Sequence, residues 1–170
     1  CGGLLALPFL DDEPGLGVAH GGSACLVGFR EGNATPGNIA KAMLLATIFD
    51  LRMGSDVLTA QGYPLHEIVL SGGLVKTPAL GQLVADVFHT PVVILACASE
   101  GSGWGAGLMA AYRDQRIAGR AGTWEAFLAG QAPPAAHRFT PRAESIATFD
   151  RSFARHRRLV ALHGELEHAV

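Results

Sequence analysis

The chain has 170 residues, of which 49% are hydrophobic and only 16% charged, with a formal net charge of −2. That balance supports a buried core rather than disorder and gives no footing for a polyanion or a membrane surface as partner. The length suits one compact domain or part of a larger protein.

The 22 glycines cluster at the ends of apolar runs, a pattern of tight strand-to-helix turns in an α/β protein rather than of a helical bundle. Cys1-Gly2-Gly3 resembles the start of a mature lipoprotein, yet Leu4 to Leu7 begin an apolar strand where a lipid anchor needs a polar tether. A fold that starts upstream of Cys1 is the simpler expectation. The opening strand ends at Pro8 and leads into a loop dense in Gly, Asp and Pro; Ala24 to Phe29 reads as a second short strand. Thr35 as N-cap and Pro36 at the first helical position predict a helix to about Ala60. Ile39, Met43, Ala46, Leu51 and Leu58 fall near one face of it, and Gly54 weakens its middle.

Gly62-Tyr63-Pro64 breaks that helix. Glu67 to Leu70 then reads as a strand, Pro78 to Phe88 as a helix with Leu80, Leu83, Val84 and Val87 at three-to-four spacing, and Pro91 to Ala96 as a strand buried on both faces. Gly103 to Arg113 is an Ala/Gly-rich helix. Alternating helix and strand predict parallel pairing. Thr123 to Leu128 reads as a short helix, the stretch from Gly130 to Pro141 as an irregular crossing, and Ser145 to about His168 as a long polar helix. Leu83 to Ala98, the most apolar stretch, contains Asp86, His89 and Pro91 and cannot span a bilayer. Cys1, Cys25 and Cys97 are odd in number without C-x-x-C spacing, which predicts free thiols in a reducing compartment.

Gly72-Gly73 closes the strand ending at Leu70 just before a helix. Backbone N–H groups free of Cβ cover at such a place suit phosphate or ribose; alternatively, two glycines simply permit a tight turn. Thr77 can cap the helix that follows or turn its hydroxyl to a ligand. Lys76 lies nearby, but no P-loop spacing is present. Gly101, Gly103 and Ala106 satisfy the dinucleotide fingerprint, yet no second strand ending in an acid follows, so close packing of small residues is the better account. No G-x-S-x-G elbow occurs. "HGELEH" and "RSFARHRR" read as solvated helix faces, and Asp11-Asp12-Glu13 as polar surface, although it could in principle bind Mg²⁺.

Taken in order, "GGLLALPFLDDEP", "EIVLSGGLVKTPALGQLVADVFHTPVVI", "SEGSGWGAGLMAAY" and "FTPRAESIATFDRSFARHRRLVAL" resemble the C-terminal half of FGGY-family sugar kinases, within the actin and hexokinase superfamily. The resemblance implies an α/β, ribonuclease H-like/actin-like ATPase domain, the C-terminal domain of a two-domain sugar kinase, incomplete at its N-terminus. It implies a nucleotide-binding domain over residues 1–130 and a tail with a polar helix over 131–170. It further implies a cytoplasmic enzyme that uses ATP and Mg²⁺ to phosphorylate a sugar, working with the N-terminal domain of the same polypeptide, with no nucleic acid or membrane partner; a homodimer is compatible with it. By carry-over, Gly72 and Gly73 lie along the adenosine or its phosphates, and Thr77 takes the family's Ser/Asn position beside the adenine. Glu100 with Gly105-Ala106 matches the helix start behind the nucleotide, where packing and contact are both open.

The general-base Asp belongs to the N-terminal domain in this family, so the resemblance predicts that these residues alone are inactive. Departures from the pattern are Gly107 where Ala is usual, Asp12 in place of a frequent Gly, and no "W-x-x-x-A-R-G" in the loop to Val27. The variant motifs resemble a xylulokinase-like branch, which implies a pentulose substrate. Two alternatives remain open at this point: an actin-like nucleotide-binding module without kinase activity, and a Rossmann-type oxidoreductase using Gly101 to Ala106.

Overall fold

The computed structural model describes residues 1–131 and 133–167. They fall into two compact units: Cys1–Leu65 with Asp86–His89 and the chain from Arg142 onward, and His66–Ala85 with Thr90–Pro141.

In the first unit, β1 (Leu5–Leu7) pairs antiparallel with β2 (Cys25–Val27), Ala6 opposite Leu26. Buried Asn33 fixes the chain after β2, because its amide donates to the carbonyls of Gly2 and Gly28 (both 3.0 Å) and accepts from the Arg30 N–H at 2.8 Å. α1 (Pro36–Ala60) starts as expected, with the Thr35 hydroxyl accepting the Asn38 N–H at 3.2 Å and Pro36 in the first turn. The buried face of α1 differs from the expected one. Ala42, Leu45, Ala46, Ile48 and Phe49 face the core, whereas Met43, Leu51 and Leu58 are exposed. The helix carries two apolar stripes, and periodicity cannot rank them.

The expected polar helix is α5 (Ala143–Ala161), followed by a break at Leu162 and a short α6 (His163–Glu167); the expected end at His168 lies outside the described residues. α5 is less polar than its composition suggests. Phe153, Val160 and His156 are buried; His156 Nε2 lies 2.7 Å from Asp50 Oδ1, and the His156 and Phe49 ring centroids are 5.4 Å apart. Buried His163 meets Phe9 edge-on at 5.4 Å. These histidines in "RSFARHRR" and "HGELEH" are therefore core groups, not the solvated surface that a charged stretch predicts; a planar imidazole packs like an aromatic ring, here with His156 Nδ1 and His163 Nε2 buried without a hydrogen-bond partner. Asp86, fully buried, accepts from the Arg142 N–H at 2.8 Å and from its guanidinium at 2.6 and 3.0 Å, and this contact holds the Arg142 pKa above its ordinary value.

In the second unit, β3 (Ile68–Leu70) and β4 (Val92–Leu95) pair in parallel, Val69 opposite Val93, as alternating elements require. The supposed irregular crossing contains β5 (Ala135–Phe139), which pairs antiparallel with β4, Val93 opposite Arg138. Its side chains are largely exposed and Pro133-Pro134 precedes it, so neither alternation nor β-branched residues signalled a strand; pairing with β4 makes it one. α2 (Ala79–Phe88) approaches β5 so closely that a Cβ on Gly81 would lie 2.4 Å from the Phe139 ring. α3 (Gly101–Ile117) is longer than expected, and Tyr112 on it gathers Trp124 and Phe127 of α4 (Trp124–Leu128) at 4.9 and 5.3 Å. The Thr123 hydroxyl caps α4. All three cysteines are free thiols, as expected.

Candidate nucleotide site

β3 and β4 are parallel, so their carboxyl ends lie side by side, where open α/β sheets present ligand crevices. Each strand ends in a tight 3-10 turn that feeds a helix: Gly72–Lys76 before α2, and Ala98–Glu100 before α3. The two turns lie against each other. Ser71 ties them, its hydroxyl donating to the Ala98 carbonyl at 3.0 Å.

That tie explains one glycine of the apparent dinucleotide fingerprint. A Cβ on Gly101 would sit 2.3 Å from Ser71 Oγ, while a Cβ on Gly103, Gly105 or Gly107 would meet nothing within 4 Å. Gly101 is small because Ser71 is close. The close packing expected of the other small residues of this helix does not occur, and Ala106 is exposed.

Gly72, Gly73 and Thr77 are brought together on one exposed turn. Gly72 has φ +77°, which a side chain rarely adopts, so the turn requires glycine there. Gly73 has no positive φ, and neither position has an atom within 4 Å of where a Cβ would lie. The first N–H groups of a helical turn have no partner inside it, and at Gly72 and Gly73 no side chain covers the backbone. Thr77 does not cap α2, which starts one residue later than expected, at Ala79. Its hydrogen bonds run through its backbone, from its N–H to the Leu74 carbonyl and from the Leu80 N–H to its own carbonyl, so its hydroxyl stays available on the exposed side. Lys76, also exposed, ends the turn.

Beside this turn opens a cleft of about 320 Å³ whose lining includes Val69, Ser71, Cys97, Gly101, Ser102 and Trp104, but not Gly72, Gly73 or Thr77. Sequence reasoning missed Ser71 and Trp104. The signal for Ser71 was its place directly ahead of the glycine pair; Trp104, inside an Ala/Gly-rich helix, stood out by size alone. Glu100 is exposed and caps nothing with its side chain. Asp11, Asp12 and Glu13 do not gather into a metal site: Asp12 accepts the Gly21 N–H at 2.8 Å, and among the described residues no group of three His, Cys, Asp or Glu is placed to hold a metal. No described helix is long and apolar enough to cross a membrane.

Comparison with known proteins bears on this geometry. Residues 1–113 match the family model described as "FGGY family of carbohydrate kinases, C-terminal domain". A ribulokinase of Mycolicibacterium smegmatis is 31% identical over 157 residues, 89% of this chain and 26% of that protein. A glycerol kinase of Gloeobacter violaceus is 36% identical over 114 residues, 63% of this chain and 22% of that protein. Among solved structures, xylulose kinase from Rhodospirillum rubrum superposes with a TM-score of 0.73 at 24% identity, covering 98% of this chain and 32% of that one. Plasmodium falciparum glycerol kinase, solved with ADP, gives 0.69 at 18%, covering 91% and 30%. The chain thus spans about a quarter of the length of the curated relatives it matches. Its α/β architecture is the actin-like ATPase fold of these kinases, and the chain belongs to the FGGY family of carbohydrate kinases, whose C-terminal domain it carries.

Proposed function

We propose that this chain holds the nucleotide in an enzyme that transfers the γ-phosphoryl group of ATP to a hydroxyl of a pentulose, xylulose- or ribulose-like. One observation carries the reading: at the carboxyl ends of two parallel strands, Gly72 and Gly73 leave a backbone turn bare of side chains on its open side. Phosphate or ribose oxygens can approach that backbone directly, with Lys76 near in sequence and the Thr77 hydroxyl available to the base or sugar. The ADP carried by the Plasmodium falciparum glycerol kinase structure is consistent with a nucleotide here.

The reaction asks little covalent chemistry of this part of the protein. Phosphoryl transfer is accelerated chiefly by positioning and by stabilising charge, so a surface that fixes the nucleotide needs no nucleophile of its own. Mg²⁺ neutralises the phosphates in such chemistry; in this reading it rides on the nucleotide, since the described residues offer no cluster to cage it. The base that takes the proton from the sugar hydroxyl is assigned to an Asp of the N-terminal domain, and closure over the sugar excludes water.

The pentulose assignment rests on the reach of the ribulokinase match, since a xylulose kinase matches over only 93 residues. The ribulokinase match extends over 157 residues and so includes the start of α5, whereas the glycerol kinase match covers 114. The test is ADP release from Mg-ATP by the full-length protein, followed by a coupled assay across D-xylulose, L-ribulose, D-ribulose, L-xylulose, gluconate and glycerol. Release with one pentulose supports the reading. Release with glycerol or gluconate alone overturns the substrate, and nucleotide binding with no release on any of them points to the nucleotide-binding module without transfer.

A further inference from the structure

A turn bare of side chains is open to a ligand, but it has little with which to hold its own shape. In the turn over Gly72–Lys76, Leu74 and Val75 are half-buried and anchor the second half. Gly72 and Gly73 have no side chain to pack, and glycine has the most backbone freedom of any residue. The first half is fixed from outside. Ser71, in extended backbone directly before the pair, donates its hydroxyl to the Ala98 carbonyl at 3.0 Å, on the turn that feeds α3.

A second residue guards that bond. Gly101 has ordinary helical backbone, φ −54° and ψ −41°, so conformation does not require glycine there. Space does. A Cβ at 101 would lie 2.3 Å from Ser71 Oγ but 3.5 Å from Ser71 Cβ, a clash with the hydroxyl and an ordinary contact with the carbon beneath it. Far apart in sequence, Ser71 and Gly101 serve one hydrogen bond.

We infer, on the nucleotide reading of this turn, that Ser71 is a positioning residue for the nucleotide: through the Ala98 carbonyl it holds the Gly72-Gly73 backbone in the shape that receives the ligand, and Gly101 is small to leave its hydroxyl room. Without the bond the turn samples other shapes, and apparent affinity falls with the fraction of molecules left in the competent one. For one neutral hydrogen bond that amounts to about three- to tenfold in Kd. Ser71 touches no reacting atom, so turnover of bound substrates should not change.

The test measures, in the full-length protein, ADP affinity by calorimetric titration, stability by urea unfolding, and kcat with KM for Mg-ATP in the coupled assay. Ser71→Ala should weaken ADP binding about three- to tenfold and raise KM for Mg-ATP with kcat unchanged. Gly101→Ala should do the same, because it displaces the hydroxyl. With both substitutions the clash is gone along with the bond, so the double variant should bind ADP no more weakly than Ser71→Ala alone. The titration decides even where no sugar is turned over. Two results overturn the inference and leave the nucleotide reading intact. One is ADP affinity unchanged in Ser71→Ala but lowered in Gly73→Val, which makes the tie structural only. The other is a pair of effects that multiply in the double variant, which makes Gly101 act independently of Ser71. Unchanged affinity in Gly73→Val overturns both.

Discussion

Gly73→Val separates what the glycine turn does for folding from what it does for binding. Gly73 lacks a positive φ and has open space where a side chain would go, so the fold should tolerate valine. Removing a glycine at a compatible position changes stability by only about 0.4–1 kcal/mol, in the stabilising direction when the backbone is unstrained. Binding should respond quite differently. The valine methyl groups would occupy the space through which a phosphate or ribose oxygen reaches the turn. Losing one hydrogen bond to a charged phosphate oxygen costs about 1.5–3 kcal/mol, or about 10- to 150-fold in Kd. Gly72→Ala is the contrasting variant, because φ +77° makes any side chain there cost about 1–2 kcal/mol of stability whatever it does to ligand. Urea unfolding gives the stability of each variant, and calorimetric titration with ADP gives its affinity. A Gly73→Val protein that folds normally and binds ADP with unchanged affinity would refute the assignment of this turn to the nucleotide.

Three further outcomes test the fold that positions the turn. Gly81→Ala lies in a helix, where alanine normally gains about 1 kcal/mol, but its Cβ would press on Phe139; a net loss of about 1–2 kcal/mol in urea unfolding is expected, relieved by Phe139→Leu in the same chain. Phe9→Ala empties a fully buried site beside His163 and should cost about 3–5 kcal/mol, read as a lower thermal midpoint. Thr35→Ala removes the hydroxyl that caps α1 and should cost about 1 kcal/mol, while Thr35→Asp should restore most of it.

How far the sequence reveals this molecule depends on how local each determinant is. The α1 N-terminus was legible because Thr35 and Pro36 decide it within one turn of chain, and the parallel pair β3–β4 because alternating elements leave few topologies. β5 was not legible: its exposed Ala, His and Arg side chains specify no strand, and only the backbone of β4 completes its ladder. Gly101 was legible as small but not for its reason, which is a hydroxyl thirty residues away. The glycine turn stands between these cases. Its position could be read, whereas the choice left open for the Thr77 hydroxyl, cap or ligand contact, depends on where α2 begins.

The two faces of α1 carry this reasoning furthest. Ala42, Leu45, Ala46 and Phe49 form a stripe that its own unit buries, and Met43, Leu51 and Leu58 form one that it does not. Met43, Leu51 and Leu58 run along about four turns of a helix that already has a buried face, where surface positions more often carry polar or charged residues. The choice between stripes could not be made from periodicity because both satisfy it. The buried contact is made by β1 and α5. The other faces a groove walled by Leu10, Asp11 and Glu13 of the loop after β1, whose third carboxylate, Asp50, is held by the buried His156.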